Sequence, residues 1–393
     1  MKRRWAWAAV TAVCAAGGLY LGSCVVGSHG GPAPAPGRVL AVVAPPVPAP
    51  ATPPLVEPFP VPIVELRGSA AELGTAHGER LHDTIRTLHD SYLKRYIRSD
   101  LERFLALKAA DVYRGRIGPA YQEELAGLAK ACGIEEREAM LAQCFLDITG
   151  MVACSTVTLP ADAAPDHVAR FGRNLDFPSF NIADKYTTVF VYHPEGKYAF
   201  ASVGWPGMMG VLSGMNEHGL TIANMEVTRG PRLPQALPYT LLYRTVLEEC
   251  RTTEEAIDLL RRTPRQTSNN LMIMDAAGSR AVAEISPDGV TVRRPDEYGL
   301  VSTNHRRGED NCTTGRCDRY DSLRAASEHE FGHIDVPKLE SMLAEASPGK
   351  STLQSMVFEP SNRVIYLSAR QDAARGKFHR LDLNSYFGKP ARN

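Results

Sequence analysis

Apolar residues recur every three to four positions through residues 69–97, with Ala71, Leu73, Ala76, Leu81, Ile85, Leu88 and Tyr92 on one face. That period predicts an amphipathic helix. Residues 121–131 predict a second helix, stopped by Gly133, and 135–146 a third. Past residue 150 the texture changes. Residues 155–159 alternate and are β-branched, and 168–175, 187–193 and 198–203 read the same way, so strands are expected there. Residues 209–213 and 220–227 predict two more, around the turn Gly214-Met215-Asn216-Glu217-His218-Gly219. A long helix is expected over 239–262, then strands over 270–274 and 281–286 joined by Asp275-Ala-Ala-Gly278. Further strands are predicted at 290–293, 299–303 and 356–368. A helix from Tyr320 should stop at Gly332, with Asp335 capping the next. No internal repeat is visible. Helices, strands, helices, strands is the order of an α+β protein, with helices packed on a largely antiparallel sheet.

The first 63 residues follow another pattern. Met1-Lys2-Arg3-Arg4 is followed by an uncharged run from Trp5 to Val26, the layout of a secretory signal. Leu21-Gly22-Ser23-Cys24 closes the run and resembles the bacterial lipoprotein cleavage signal, with Cys24 as the lipidated first residue of the mature chain. An ordinary signal peptide or an uncleaved anchor is the alternative. Each version places the body outside the cytoplasm, in the periplasm or at the cell surface, and membrane contact is expected only through the N-terminus. Twelve of the 28 prolines lie between Pro32 and Pro62. Proline lacks the donor that helices and central strands need, so 24–63 is expected to be an extended tether. The expected organisation is a signal peptide (1–23), a lipid-anchored linker (24–63) and one folded domain (64–393).

Composition narrows the function. Lys plus Arg is 44 and Asp plus Glu is 44, a net charge of zero. A nucleic-acid-binding protein would carry a basic excess. There is no G-x-S-x-G elbow, P-loop or dinucleotide fingerprint, and no cofactor is implied.

Candidate chemistry centres on Cys154, at the change from helical to strand texture. Eighteen residues on begins Gly172-Arg173-Asn174-Leu175-Asp176; further along are Asn216-Glu217-His218-Gly219-Leu220 and Ser302-Thr303-Asn304-His305. Together with Gly74-Thr75-Ala76-His77-Gly78, this ordered set resembles the N-terminal-nucleophile hydrolases. It is most similar to the isopenicillin N acyltransferase-like autoproteolytic family, and more distantly to choloylglycine hydrolases and acid ceramidase. The resemblance runs from about residue 64 to 381.

It implies an αββα four-layer sandwich, with an upstream helical part that stays bound after autocleavage. It also implies a cut between Ala153 and Cys154, giving an upstream part (64–153) and a 240-residue catalytic part (154–393). An N-terminal Cys carries its own base, because an α-amine titrates near pH 8 and the thiolate is the nucleophile. By resemblance, Arg173 favours the thiolate and Asp176 holds the new α-ammonium. Asn304 donates to the oxyanion of the tetrahedral intermediate. A second donor comes from the strand after Leu220. Asn224 is the available residue there, within a register of two positions, or a backbone N–H serves instead. Arg173 and Asp176 differ by an odd number, so a bend near Asn174 is needed for both to reach Cys154. Residues 160–165 read as an enlarged turn. The implied activity is cleavage of a linear amide C–N bond through an acyl-cysteine, by hydrolysis or acyl transfer. The partner is then a small N-acyl amide.

Competing readings remain. His305 offers a papain-like pair to Cys154, without a papain-type signature. His329-Glu330-Phe331-Gly332-His333 fits the zinc pattern H-E-x-x-H, but Gly332 and Pro337 argue against a continuous helix, and no third ligand is evident. A non-catalytic surface lipoprotein on the same fold is the rival from another class. Asn216 and His218 read as turn residues. Cys312 and Cys317 flank a short polar loop and are candidates for a disulfide. The apolar stretch 205–209 reads first as buried strand, with an acyl-pocket wall as the alternative.

Overall fold

The computed structural model describes residues 59–149, 153–227, 235–308 and 317–388. The leader, Cys24, most of the proline-rich tether and Cys312 lie outside the described residues, and with them the lipidation and the disulfide pairing. No helix among the described residues is long and apolar enough to cross a membrane.

The chain enters through strand β1 (Ile63–Gly68) and helix α1 (Ala70–Thr87). Ser69 caps α1 reciprocally with Glu72, and a π-helical turn, Leu88–Leu93, prolongs it. Three helices follow: α2 (Asp100–Arg114), α3 (Pro119–Cys132) and α4 (Glu136–Thr149). Helices α1 and α3 pack unusually close. A Cβ on Gly74 would sit 1.9 Å from the Glu124 carbonyl oxygen, and one on Gly78 would sit 2.5 Å from Ala131 Cβ. Only glycine admits that approach, which explains the Gly74 to Gly78 spacing.

Two sheets follow. Among the described residues the strands after β1 are β2 (Ala153–Leu159), β3 (Arg170–Asp176), β4 (Thr188–Pro194), β5 (Phe200–Gly204), β6 (Ser213–Asn216), β7 (Thr221–Glu226), β8 (Asn269–Met274), β9 (Arg280–Ile285), β10 (Val290–Arg293), β11 (Leu300–Ser302), β12 (Thr352–Glu359), β13 (Val364–Ala369) and β14 (His379–Asp382). One sheet has eight of these strands in the order β1-β4-β5-β6-β7-β8-β9-β10, the other six in the order β11-β2-β3-β12-β13-β14. All pairings are antiparallel except β1 with β4, which is parallel. Helices α5 (Tyr239–Glu249) and α6 (Thr253–Arg262) cover the eight-stranded sheet. Helices α7 (Asp318–His329) and α8 (Val336–Glu345) cover the six-stranded one. The sheets face each other across one core that includes Phe171, Leu175, Met215, Met225 and Met272. This is the expected α+β, αββα sandwich, with the upstream helices forming a core of their own beside it.

Four details depart from the sequence reading. Helix α2 was not expected. The helix over 239–262 is broken at Cys250, and Thr252 caps the second half by accepting from Glu255 N. The strand over 356–368 is a hairpin turning at 360–363. Residues 209–212 are not strand; only Ser213–Asn216 is. There the run packs against α5, where a Cβ on Gly210 would meet Thr240 Oγ1 at 2.3 Å.

Candidate active site

Cys154 is the second residue of β2 and is fully buried. The even residues of this strand face the eight-stranded sheet: Thr156 Oγ1 lies 3.4 Å from Met225 Sδ, and Thr158 Oγ1 lies 3.7 Å from Met272 Sδ. Cys154 therefore points between the sheets. Arg173, on β3 opposite Thr156, shares that face. Its Nε donates to Ser213 Oγ at 3.1 Å. Its two terminal nitrogens are buried without a hydrogen-bond partner among the described residues. No carboxylate pairs with it there, and its charge favours ionisation of the nearby Cys154 thiol. An uncompensated buried guanidinium is costly, and an adjacent thiolate is the anion that would relieve the cost.

Asp176 ends β3 on a different side. The partner strand skips a residue between Thr352 and Gln354, so the irregularity falls opposite Leu175 and Asp176, slightly beyond the expected bend at Asn174. Asp176 accepts from Thr352 Oγ1 at 2.6 Å and from Arg319 Nη1 at 3.0 Å. Burial pushes its carboxyl up, while the Thr352 hydrogen bond and Arg319 pull it down. Ala153 lies directly across from Asp176 in the ladder.

Asn304 sits in the bend after β11. Asn270 holds that bend by donating to the carbonyls of Thr303 (3.0 Å) and His305 (2.8 Å). Asn304 Oδ1 accepts from Cys154 N at 2.8 Å and from Arg319 Nη2 at 3.0 Å. Its Nδ2 donates to the Glu226 carbonyl at 2.7 Å. In the uncut chain, then, Asn304 grips the nitrogen that cleavage would free, and its amide donor is engaged elsewhere.

Arg319 escaped the sequence reading. It lies in the first turn of α7 and also donates to the Cys154 carbonyl at 2.8 Å. The one available signal was its position, since a cation is disfavoured at a helix N-terminus. Glu226 is the second residue missed, and it falls within the two-residue register left open around Asn224. Asn224 itself turns away. Ser213 faces Arg173 and pairs with Ala223, and Met225 reaches Thr156, so odd residues of β7 look at the six-stranded sheet. Asn224 looks toward the helices, its N–H donates to the Leu212 carbonyl at 2.9 Å, and neither side-chain polar atom has a partner among the described residues.

In this uncut state burial pushes the Cys154 thiol up to about 11, against the pull of Arg173; Asp176 adds to the rise and Arg319 opposes it. Thiols in apolar surroundings are inert until a base or cation offsets the burial.

The other candidates stand apart. His305 Nδ1 lies 3.3 Å from Thr303 Oγ1. His329 is the last residue of α7 and Gly332 has φ +87°, so His329 and His333 do not share a helical turn. Among the described residues no cluster of three or more His, Cys, Asp or Glu is arranged to hold a metal. Cys317 is buried, its sulfur 3.5 Å from Thr303 Oγ1.

A partly open, apolar pocket lies beside Phe177 and Leu212. Ile85, Tyr92 and Phe145 of the upstream helices form one wall; Phe177, Trp205 and Leu212 form the other. Phe177 follows Asp176 directly, and Leu212 precedes Ser213, so two lining residues are chain neighbours of residues at the site. Residues 205–208 of the apolar stretch thus line the pocket, while Met209 packs into the upstream helical core.

Comparison with known proteins extends this picture. The family described as acyl-coenzyme A:6-aminopenicillanic acid acyl-transferase matches residues 164–374. "Protein dcd1A" of Dictyostelium discoideum is 26% identical over 238 residues, 52% of this chain and 54% of that protein. The N-acylethanolamine-hydrolyzing acid amidase of Oryctolagus cuniculus is 27% identical over 154 residues, 37% of this chain and 42% of that one. The chain thus spans about half the length of the curated relatives it matches. Among solved structures, penicillin V acylase from Agrobacterium tumefaciens superposes with a TM-score of 0.45 at 15% identity, covering 60% of this chain and 87% of that one.

Proposed function

Because this chain belongs to the acyl-coenzyme A:6-aminopenicillanic acid acyl-transferase family, whose kind of chemistry is amide hydrolysis and acyl transfer, we propose that it is an autoproteolytically activated cysteine amidase or acyltransferase. Its nucleophile is Cys154. The observation that carries the reading is the buried Arg173 guanidinium, whose terminal nitrogens lack hydrogen-bond partners among the described residues and whose charge favours the Cys154 thiolate.

The first step is self-cleavage. Cys154 Sγ attacks the carbonyl carbon of Ala153, and the Cys154 nitrogen leaves with a proton. Water then hydrolyses the thioester, releasing the Ala153 carboxylate and regenerating the thiol. The product is a Cys154 whose own α-amine, with a pKa of about 8, takes the thiol proton at neutral pH. Asn304 Oδ1 already accepts from that nitrogen and Arg319 from α7 holds the Cys154 carbonyl. The new terminus is therefore held on both sides, and Asp176 acts through Arg319.

The second reaction repeats the chemistry on substrate. The thiolate attacks an amide carbonyl, Arg173 balances the negative charge, and the amine leaves with a proton. Water or an acceptor amine then resolves the acyl-cysteine. The apolar cavity supports an acyl group of aliphatic or aromatic character, in keeping with a relative named for hydrolysing N-acylethanolamines. The leader pattern supports an enzyme exported and lipid-anchored at Cys24, tethered through 24–63.

Intact mass and N-terminal sequencing of the purified protein test the proposal. Two chains are expected, one beginning at Cys154. The Cys154→Ala chain should stay whole and turn over no amide. Cleavage at Ala153, or turnover, in that variant would remove Cys154 as the nucleophile.

A further inference from the structure

Residues 205–208 line the pocket, and among the described residues neither they nor Met209 pair with a strand. Their backbone is held by side chains from the other side of the proposed cut. His77, on α1, accepts from Gly207 N at 3.0 Å through Nε2. Burial, with Arg244 adding to it, holds this histidine down to about 3, so the ring is neutral and Nε2 is free to accept. Gln143, on α4, donates to the Gly207 carbonyl at 2.7 Å and accepts from Met209 N at 2.7 Å. Gly207 has φ +87°, and a Cβ there would meet Ile85 at 3.2 Å. Three main-chain groups of one tight turn are thus answered by two upstream side chains, and on that turn sit Trp205 and Met208, which face the cavity.

We infer that His77 and Gln143 are positioning residues that fix the Trp205 turn, so that the upstream helices set which acyl chain the enzyme accepts. The inference rests on the acyl-amide reading of the site. Neither residue touches Cys154, so their loss should act on fit to long acyl groups and spare the chemical step. Satisfying three buried main-chain groups is a specific requirement, and an apolar replacement leaves them unpaired.

The test uses amides of 7-amino-4-methylcoumarin carrying butanoyl, octanoyl and dodecanoyl groups, with the mature protein and its His77→Leu, His77→Gln and Gln143→Met variants. In His77→Leu and Gln143→Met, the ratio of kcat/KM for dodecanoyl over butanoyl should change by about tenfold, through KM, with butanoyl kcat within about twofold of the parent. His77→Gln, whose amide oxygen falls near the position of Nε2, should restore the parent ratio. A merely structural role would lower all three substrates together and would show no rescue.

A parallel measurement does not depend on turnover. Dansyl-undecanoic acid should bind the uncut Cys154→Ala chain, about tenfold more weakly with Gln143→Met added. If no amide is turned over but the probe shows this loss, the enzymatic reading has failed and the positioning stands. If chain-length ratios and probe affinity are unchanged in both apolar variants, the positioning is wrong. Should His77→Leu fail to fold, the Gln143→Met data decide alone.

Discussion

Two arginines are buried to the same degree in this protein and are treated in opposite ways. Arg244, on α5, donates to Glu124 of α3 and to Glu248, each at 2.7 Å, and lies over the Tyr192 ring at 4.6 Å. Tyr121 and Lys197 complete the set around Glu248. Every charge there is answered, and Glu124 and Arg244 lie on opposite sides of the proposed cut. Arg173 has one neutral hydroxyl as its hydrogen-bond partner among the described residues, with the Cys154 thiol close enough to feel its charge. The first arrangement stabilises an interface. The second leaves an attraction unspent until an anion forms. Burial alone does not mark a functional charge; the state of its partners does.

Variants can break or sharpen this contrast. The largest effect is expected at the paired site. Glu124→Ala, in the uncut Cys154→Ala background, should lose about 3–5 kcal/mol of stability in urea unfolding, because it strands part of a buried charge. A loss under about 1 kcal/mol would mean that Glu248 and Lys197 suffice. Next comes Arg173→Met. It should slow self-cleavage about a hundredfold, as removal of a preorganised charge at a reacting centre does, while urea stability holds or rises. The sign with pH follows from the thiol. At about 11 in the uncut chain, it ionises more fully as pH rises, so cleavage of the parent accelerates from pH 7 to 10. Without the arginine the thiol moves higher still, and the variant's profile shifts to higher pH. Cleavage at the parental rate in Arg173→Met would end the claim that this charge awaits a thiolate. The smallest effect is expected at Asn224→Leu. Both polar atoms there are already without partners among the described residues, so stability should change by less than about 1 kcal/mol and cleavage should persist. A fall of about a hundredfold in turnover would instead make Asn224 the second oxyanion donor.

Local pattern carried much of the architecture. The helices α1, α3 and α4 declare themselves by period, and the α7 stop at Gly332 and the Asp335 cap were legible because each is chemistry within four residues. Helix α2 was not, since Leu101, Phe104 and Val112 lie on its exposed side and blur the apolar stripe. The run at 209–212 misled because what holds it is remote in sequence: Gln143 and Arg244 bond Met209 from two other elements. The site divides the same way. Cys154, Arg173 and Asp176 fall on two adjacent strands, where spacing and resemblance suffice. Arg319 arrives from a helix terminus 165 residues beyond Cys154, and nothing in its neighbourhood announces that destination. The facing of Asn224 turned on strand parity, which requires a register that only the pairing of β6 with β7 supplies.

The parallel pairing of β1 with β4 bears on what a severed chain would be. Strand β1 precedes the proposed cut and β4 follows it, and residues 63–68 form the outer edge of the eight-stranded sheet. If cut there, the protein would formally be a heterodimer, but one whose junction is a shared ladder. Separation would strip a sheet of its border and bare a row of unpaired amides, the surface on which aggregation starts. Extreme dilution should therefore leave the cut enzyme associated, and the upstream fragment supplied separately after cleavage should not exchange into it. If the proposed cut is made, maturation would work as a ratchet: two polypeptides with the kinetic permanence of one.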